Sequence, residues 1–139
     1  MKVMIVGGGG REHALLEALR KNPKIDAFFA LPGNGGMAKH ATCVPIPATD
    51  LDAIVAFAQE HSIDFAVIGP DDPLILGLSD RLRAAGVRCF GPSAAAAAIE
   101  GSKSFAKDLM KRYKIPTAAY EVFDRAADAY AYLEGISYP

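Results

Sequence analysis

The 139-residue sequence lacks most of the features that would tie it to a membrane, a nucleic acid or a metal. No apolar run approaches the roughly 18–20 residues needed to cross a bilayer. Charge of one sign is missing too. The formal net charge is −1 with acids and bases dispersed, which argues against a nucleic-acid face or a patch for an acidic membrane. The N-terminus carries one lysine, then strand residues and glycines, with no small-residue cleavage site, so it does not read as a signal peptide. Cysteine is scarce. Cys43 and Cys89 stand singly inside apolar segments without metal-pair spacing, and read as reduced, buried thiols of a cytoplasmic protein. His40 and His61 read as surface residues, and no His/Asp/Glu set has the spacing of a metal site. Low complexity is confined to Ala94–Ala98.

What is present is an apolar fraction of 51%, enough for the core of one domain and part of another. The chain is organised around Met1–His13. Val3, Met4, Ile5 and Val6 predict a strand buried on both faces. Gly7–Gly10 let the backbone turn tightly and approach a ligand. Arg11–Asn22 then predicts an amphipathic helix with Ala14, Leu15, Ala18 and Leu19 on its apolar face. Free N–H groups at that helix start make a place for an anion.

Further along, Ala27–Leu31 predicts a second strand running into Pro32-Gly-Asn-Gly-Gly36, and Cys43–Ile46 a short third strand. Thr49 or Asp50 caps a helix with Leu51, Ile54, Val55, Phe57 and Ala58 at helical spacing. Phe65–Ile68 is a strand ending in Gly69-Pro-Asp-Asp-Pro73. Pro73 opens a helix held to the core by Leu74, Leu76, Leu78, Leu82 and Ala85, and Gly86 stops it before a strand at Val87–Phe90. Helices are expected at Ala94–Glu100 and Ser102–Tyr113, the second with Phe105, Leu109 and Met110 along one side. A strand is expected at Ala118–Phe123, and a last helix at Arg125–Glu134 capped by Asp124.

Strands alternating with helices through short glycine and proline turns predict an α/β fold, a doubly wound and mainly parallel sheet. Ligands of such sheets sit beyond the carboxyl ends of the strands, where strand order reverses. Gly7–Gly10, Gly33–Gly36 and Gly69–Asp72 all fall at strand ends, so one pocket gathers them. Roughly forty residues of helix–strand–helix at the C-terminus cannot bury their own apolar face. The division expected is 1–100 as a first domain with its ligand at these strand ends, and 101–139 as an incomplete second domain.

The first loop departs from a dinucleotide fingerprint. His13 stands where a small residue permits close helix–strand packing, and no acidic residue follows the second strand to hold a ribose.

Taken together, Val6-Gly-Gly-Gly-Gly-Arg-Glu-His-Ala14, Pro32-Gly-Asn-Gly-Gly36, Gly69-Pro-Asp-Asp-Pro-Leu74, Phe90-Gly-Pro-Ser-Ala-Ala-Ala-Ala97, Glu100-Gly-Ser-Lys-Ser-Phe-Ala-Lys107 and Tyr113-x-Ile-Pro-Thr-Ala-Ala119 resemble the phosphoribosylamine–glycine ligases, also called glycinamide ribonucleotide synthetases. The resemblance runs through the whole chain in order. It departs at Asp71, where the family usually has Glu.

The resemblance implies a Rossmann-like domain followed by the start of an ATP-grasp domain, in a ligase of purine biosynthesis. In that family ATP phosphorylates the glycine carboxylate, and the amine of 5-phosphoribosylamine attacks the acyl phosphate to give glycinamide ribonucleotide, ADP and phosphate. On this reading Gly8, Gly9 and Gly10 offer backbone N–H groups to the 5′-phosphate, with Arg11 as a fork beside them. A purely structural glycine turn is the competing account. His13 is either a ligand or a satisfied, partly buried histidine, and Glu12 serves the first helical turn or orients a neighbour. Asn34 and Gly35 form a turn from which the Asn amide reaches ribose hydroxyls, although Asn also suits turn geometry for its own sake. Asp71 holds the amine or hydroxyls while Asp72 caps the helix, or the two exchange roles. Lys103 matches the lysine that contacts nucleotide phosphate, while Lys107 and Lys111 read as a solvated face.

The resemblance also implies ATP and Mg2+ or Mn2+ as cofactors. Their metal ligands, the second nucleotide lysine and the adenine segment are expected beyond Pro139, with no catalytic residue inside the chain and no activity from it alone. The expected partners are small molecules (5-phosphoribosylamine, glycine and ATP), with no nucleic acid or membrane, and uncovered apolar surface favours self-association. Two alternatives stand beside this reading: the N-terminal domain of another ATP-grasp enzyme, of biotin carboxylase or purine transformylase type, or a stand-alone nucleotide-binding module.

Overall fold

Val3, Met4, Ile5 and Val6 can all be buried only if both faces of their strand are covered. The computed structural model, which describes residues 1–137, covers both: none of the four is more than 1% exposed. Their strand, β1 (Lys2–Gly7), is central in a five-stranded parallel sheet. The others are β2 (Ala27–Pro32), β3 (Thr42–Cys43), β4 (Phe65–Ile68) and β5 (Arg88–Phe90), in spatial order β3-β2-β1-β4-β5. Strand order therefore reverses between β1 and β4, which pair from Val3↔Phe65 to Val6↔Ile68.

Alternation along β1 sends its side chains to two cores. Val3 and Ile5 pack with Leu16 of α1 (Gly10–Leu19) and with Met37. Met4 and Val6 pack with Ile54 and Phe57 of α2 (Leu51–Glu60) on the opposite face. Each such fully buried aliphatic side chain contributes about 1.5–3 kcal/mol. Asp50 is the cap of α2, its side chain accepting from Ala53 N at 3.1 Å.

Several expectations shift. In α1 the buried stripe is Glu12 and Leu16, with Leu15 and Leu19 half-buried, whereas Ala14 and Ala18 are exposed. β3 is cut to two residues because Pro45 and Pro47 remove the donors a longer ladder needs. The single helix expected from Pro73 to Ala85 is two, α3 (Asp71–Ile75) and α4 (Leu78–Ala84). Gly77, at φ +91°, breaks it in a conformation that favours glycine, and Leu76 turns outward. The N-cap of α3 is Pro70, so Asp72 lies in the first turn and is not a cap. α5 (Ala94–Gly101) follows β5 as expected. Cys43 and Cys89 are free but only half-buried, and His61 is half-buried with its ring stacked 4.0 Å from that of Phe57.

The chain divides into two compact units, Met1–Gly101 and one beginning at Ser102. The second contains α6 (Lys103–Arg112), capped by Ser102 accepting from Phe105 N, and α7 (Ala126–Glu134). Along α6 the buried residue is Ala106, whereas Phe105 is 46% exposed. No strand forms at 118–123. Strand backbone needs a neighbouring strand to bond to, and the second unit has none among the described residues. α7 starts at Ala126 without a side-chain cap from Asp124. Lys107 is not free in solvent: it donates to Thr117 Oγ1 at 2.7 Å and to the Ala118 carbonyl at 3.1 Å. Among the described residues no helix is long and apolar enough to cross a membrane.

Candidate functional site

Parallel pairing brings the carboxyl ends of β1, β2 and β4 to one edge, and the three loops meet there. Gly33 N donates to the Gly7 carbonyl at 3.3 Å, and Gly69 N donates to the Val6 carbonyl at 3.2 Å. Asn34 Nδ2 donates to the Gly8 carbonyl at 2.9 Å, while its Oδ1 accepts from Gly36 N at 2.8 Å and Met37 N at 3.0 Å. Asn34 thus braces two loops, using one of its two amide hydrogens and its carbonyl oxygen.

The glycines differ in what they are for. A Cβ at Gly8 would strike the Gly33 carbonyl oxygen, and one at Gly36 would strike the His13 ring. Gly8 and Gly36 are therefore needed for packing, and His13 fills the space against Gly36. Gly10 and Gly35 have nothing within 4 Å of a built Cβ. Protein packing does not require glycine at either position.

Gly9 corrects the expectation of three available N–H groups. Its N–H is already donated to Glu12 Oε2 at 2.8 Å. Glu12 itself is 4% exposed. Its side chain lies between Gly7 and Gly69, where a Cβ on Gly7 would come 2.7 Å from Glu12 Cγ and one on Gly69 would collide with the carboxylate. Its Oε1 accepts from Arg11 Nε at 3.0 Å. This carboxylate occupies the start of α1 at the crevice between β1 and β4, where a dinucleotide fold receives its pyrophosphate.

Arg11 projects outward, its side chain 61% exposed, with Nη1 3.9 Å from Asp71 Oδ1. The hydrogen bond to Glu12 raises its pKa above the ordinary arginine value; desolvation, the next largest effect, opposes the rise, and the negative charges of Glu12, Asp71 and Glu100 add to it. A fixed cation beside free first-turn N–H groups, with Asp71 opposite, suits a ligand with an anionic end and a hydroxyl or amine end. A cavity of about 230 Å3 adjoins Asp71, with Glu100 as its second carboxylate and Leu74, Ile75 and Ala97 in its wall.

Of the residues marked from sequence, Gly8, Gly9, Gly10, Arg11, Asn34, Gly35 and Asp71 all belong to these three loops or to the first turns of the helices that follow them. Lys103 belongs to the second unit. It opens α6 and lines an open cavity of about 330 Å3 with Lys107, Tyr120 and Phe123. Glu12 does both things expected of it, bonding Gly9 N in the first turn of α1 and holding Arg11 Nε; what the sequence did not reveal is its burial beside Gly7 and Gly69.

Residues 1–100 match the family model for the phosphoribosylglycinamide synthetase N domain, and residues 101–139 match the model for the ATP-grasp (A) domain of the same enzyme. The chain belongs to the phosphoribosylglycinamide synthetase family. It is 55% identical over 139 residues to the phosphoribosylamine–glycine ligase of Agrobacterium fabrum, covering 100% of this chain and 33% of that protein. The crystal structure of the Thermotoga maritima phosphoribosylamine–glycine ligase superposes with a TM-score of 0.73 at 28% identity, covering 99% of this chain and 31% of that one. The biotin carboxylase domain of Hydrogenobacter thermophilus 2-oxoglutarate carboxylase, solved with MgADP and bicarbonate, has a TM-score of 0.74 at 18% identity, covering 99% and 33%. At that identity the likeness is one of fold. The chain spans about a third of the length of the curated relatives it matches.

Proposed function

We propose that residues 1–100 hold 5-phosphoribosylamine for a ligase that joins it to glycine with ATP, in purine biosynthesis. The observation that carries the reading is one edge offering the open Gly10 backbone, the outer end of the Arg11 guanidinium and the Asp71 carboxylate 3.9 Å from it. The phosphate meets Gly10 and Arg11, where N–H groups and a permanent cation are held in advance of binding. The sugar lies over the Asn34–Gly35 turn, and Asp71 accepts from its amine or a hydroxyl. Orientation is all these residues contribute: they direct the amine toward an acyl phosphate made elsewhere. In the second unit Lys103 is assigned to an ATP phosphate. The magnesium of ATP-grasp chemistry is a different matter: among the described residues no group of three or more His, Cys, Asp or Glu could hold a metal. No step is assigned to a metal in this chain. On this reading the 139 residues bind substrate without turning it over, in a cytoplasm that keeps Cys43 and Cys89 reduced.

Calorimetry with ribose 5-phosphate as a stable analogue tests the reading. Binding is expected, weakened several-fold by Asp71→Asn. A folded sample that gives no heat with ribose 5-phosphate overturns it.

A further inference from the structure

We infer that Glu12 is a positioning residue that sets the Arg11 fork. The inference rests on the substrate-binding reading above and goes one residue deeper.

An ionised carboxylate placed out of water is costly unless it is bonded, and removing its partners exposes that cost. Glu12 is 4% exposed, and its two oxygens have one partner each, Gly9 N and Arg11 Nε. The bond to Gly9 N caps α1, which carries Leu16 into one core; the bond to Arg11 Nε joins an exposed side chain and lies outside both apolar cores. The surroundings leave the Glu12 side chain little freedom: a Cβ on Gly69 would collide with its carboxylate, and Gly7, held at φ +117° where glycine is favoured in any case, lies against its Cγ. The Arg11 bond acts on the proposed binding edge. By taking Nε, Glu12 fixes the plane of the guanidinium and leaves its two outer nitrogens pointing away from the core, one of them 3.9 Å from Asp71. The other oxygen of Glu12 holds the Gly9 N–H and so caps the start of α1. Glu12 touches no ligand on this account. It works through Arg11.

The test uses the 139-residue chain, isotopically labelled. In the unmutated protein a coupling across the hydrogen bond between Arg11 Nε and Glu12 Cδ is expected, with slow exchange of that Nε–H. Absence of the coupling together with fast exchange overturns the proposal, and this measurement needs no variant to fold. Glu12→Gln keeps one acceptor and loses the other. It is expected to weaken ribose 5-phosphate binding about tenfold, the scale of one charge-assisted hydrogen bond, and to leave binding of unphosphorylated ribose unchanged. Arg11→Ala is expected to weaken ribose 5-phosphate binding as well, and adding Glu12→Gln to it is expected to cost nothing more. Losses that add in full, or that fall equally on ribose, overturn the positioning role. If the wild-type chain binds no ribose 5-phosphate, the substrate reading falls, while the Arg11–Glu12 coupling still decides the arrangement proposed here.

Discussion

The Asn34 amide donates to the Gly8 carbonyl across 2.9 Å, joining the turn after β2 to the glycine loop after β1. Twenty-six residues separate them, and the same side chain closes its own turn through Gly36 N and Met37 N. A residue marked for contact with ribose is thus also the brace that brings two binding loops together.

Asn34→Ala removes three hydrogen bonds at a part-buried site. A loss of about 1–3 kcal/mol in denaturant unfolding is expected. Hydrogen exchange should quicken at Gly36 and Met37 and remain slow in β1. Protection unchanged at those two amides would show that the turn does not depend on the side chain.

The glycines should separate by experiment. Gly69→Ala forces a Cβ into the Glu12 carboxylate and should cost about 1–3 kcal/mol, as overpacking does. Gly10→Ala meets open space in the first turn of α1, where alanine favours helix by about 0.5–1 kcal/mol. It should therefore leave the melting temperature unchanged or higher while reducing binding of ribose 5-phosphate. Equal effects of the two substitutions on stability would remove the distinction between a packing glycine and a ligand-facing one.

Gly77 at φ +91° permits the break between α3 and α4. Gly77→Ala should cost about 1–2 kcal/mol, because an L side chain is strained there, although its Cβ would meet only Ala94 at 3.7 Å. Guanidinium unfolding of the variant measures this.

In the second unit the Tyr120 hydroxyl donates to Asp108 Oδ1 at 2.5 Å, and this bond, with lesser help from desolvation and nearby negative charge, pushes its pKa up to about 12 from 10. A raised pKa favours the neutral phenol in the folded state. The contribution is therefore complete below pH 10 and is lost as pH rises from 10 through about 12. Ultraviolet titration should show one tyrosine ionising late, and Asp108→Asn should move it back toward 10. Tyrosines that all ionise together near 10 would refute the assignment.

The order of strands and helices was legible from residues alone, because the apolar periods of β1, α2 and β4 each match one kind of element and glycine or proline punctuates their ends. The loops that carry the candidate site were legible for the same reason: in a parallel sheet every βα turn lies on one edge. Ala118–Phe123 was misread, since strand propensity is realised only beside another strand. The α3–α4 break was hidden because leucines continue at helical spacing across Gly77.

What the sequence by itself determined is therefore the doubly wound class, the family motifs and the set of loops available for binding. These rest on local backbone preference and apolar period, which act over a few residues. Tertiary structure alone decided that Gly9 has no free N–H, that Asn34 holds the Gly8 carbonyl, and that Glu12 is buried between Gly7 and Gly69 with Arg11 set above it. Those outcomes depend on strand pairing that brings residues 7, 33 and 69 side by side, and a charged residue in a helix's first turn looks solvent-exposed until that neighbour arrives.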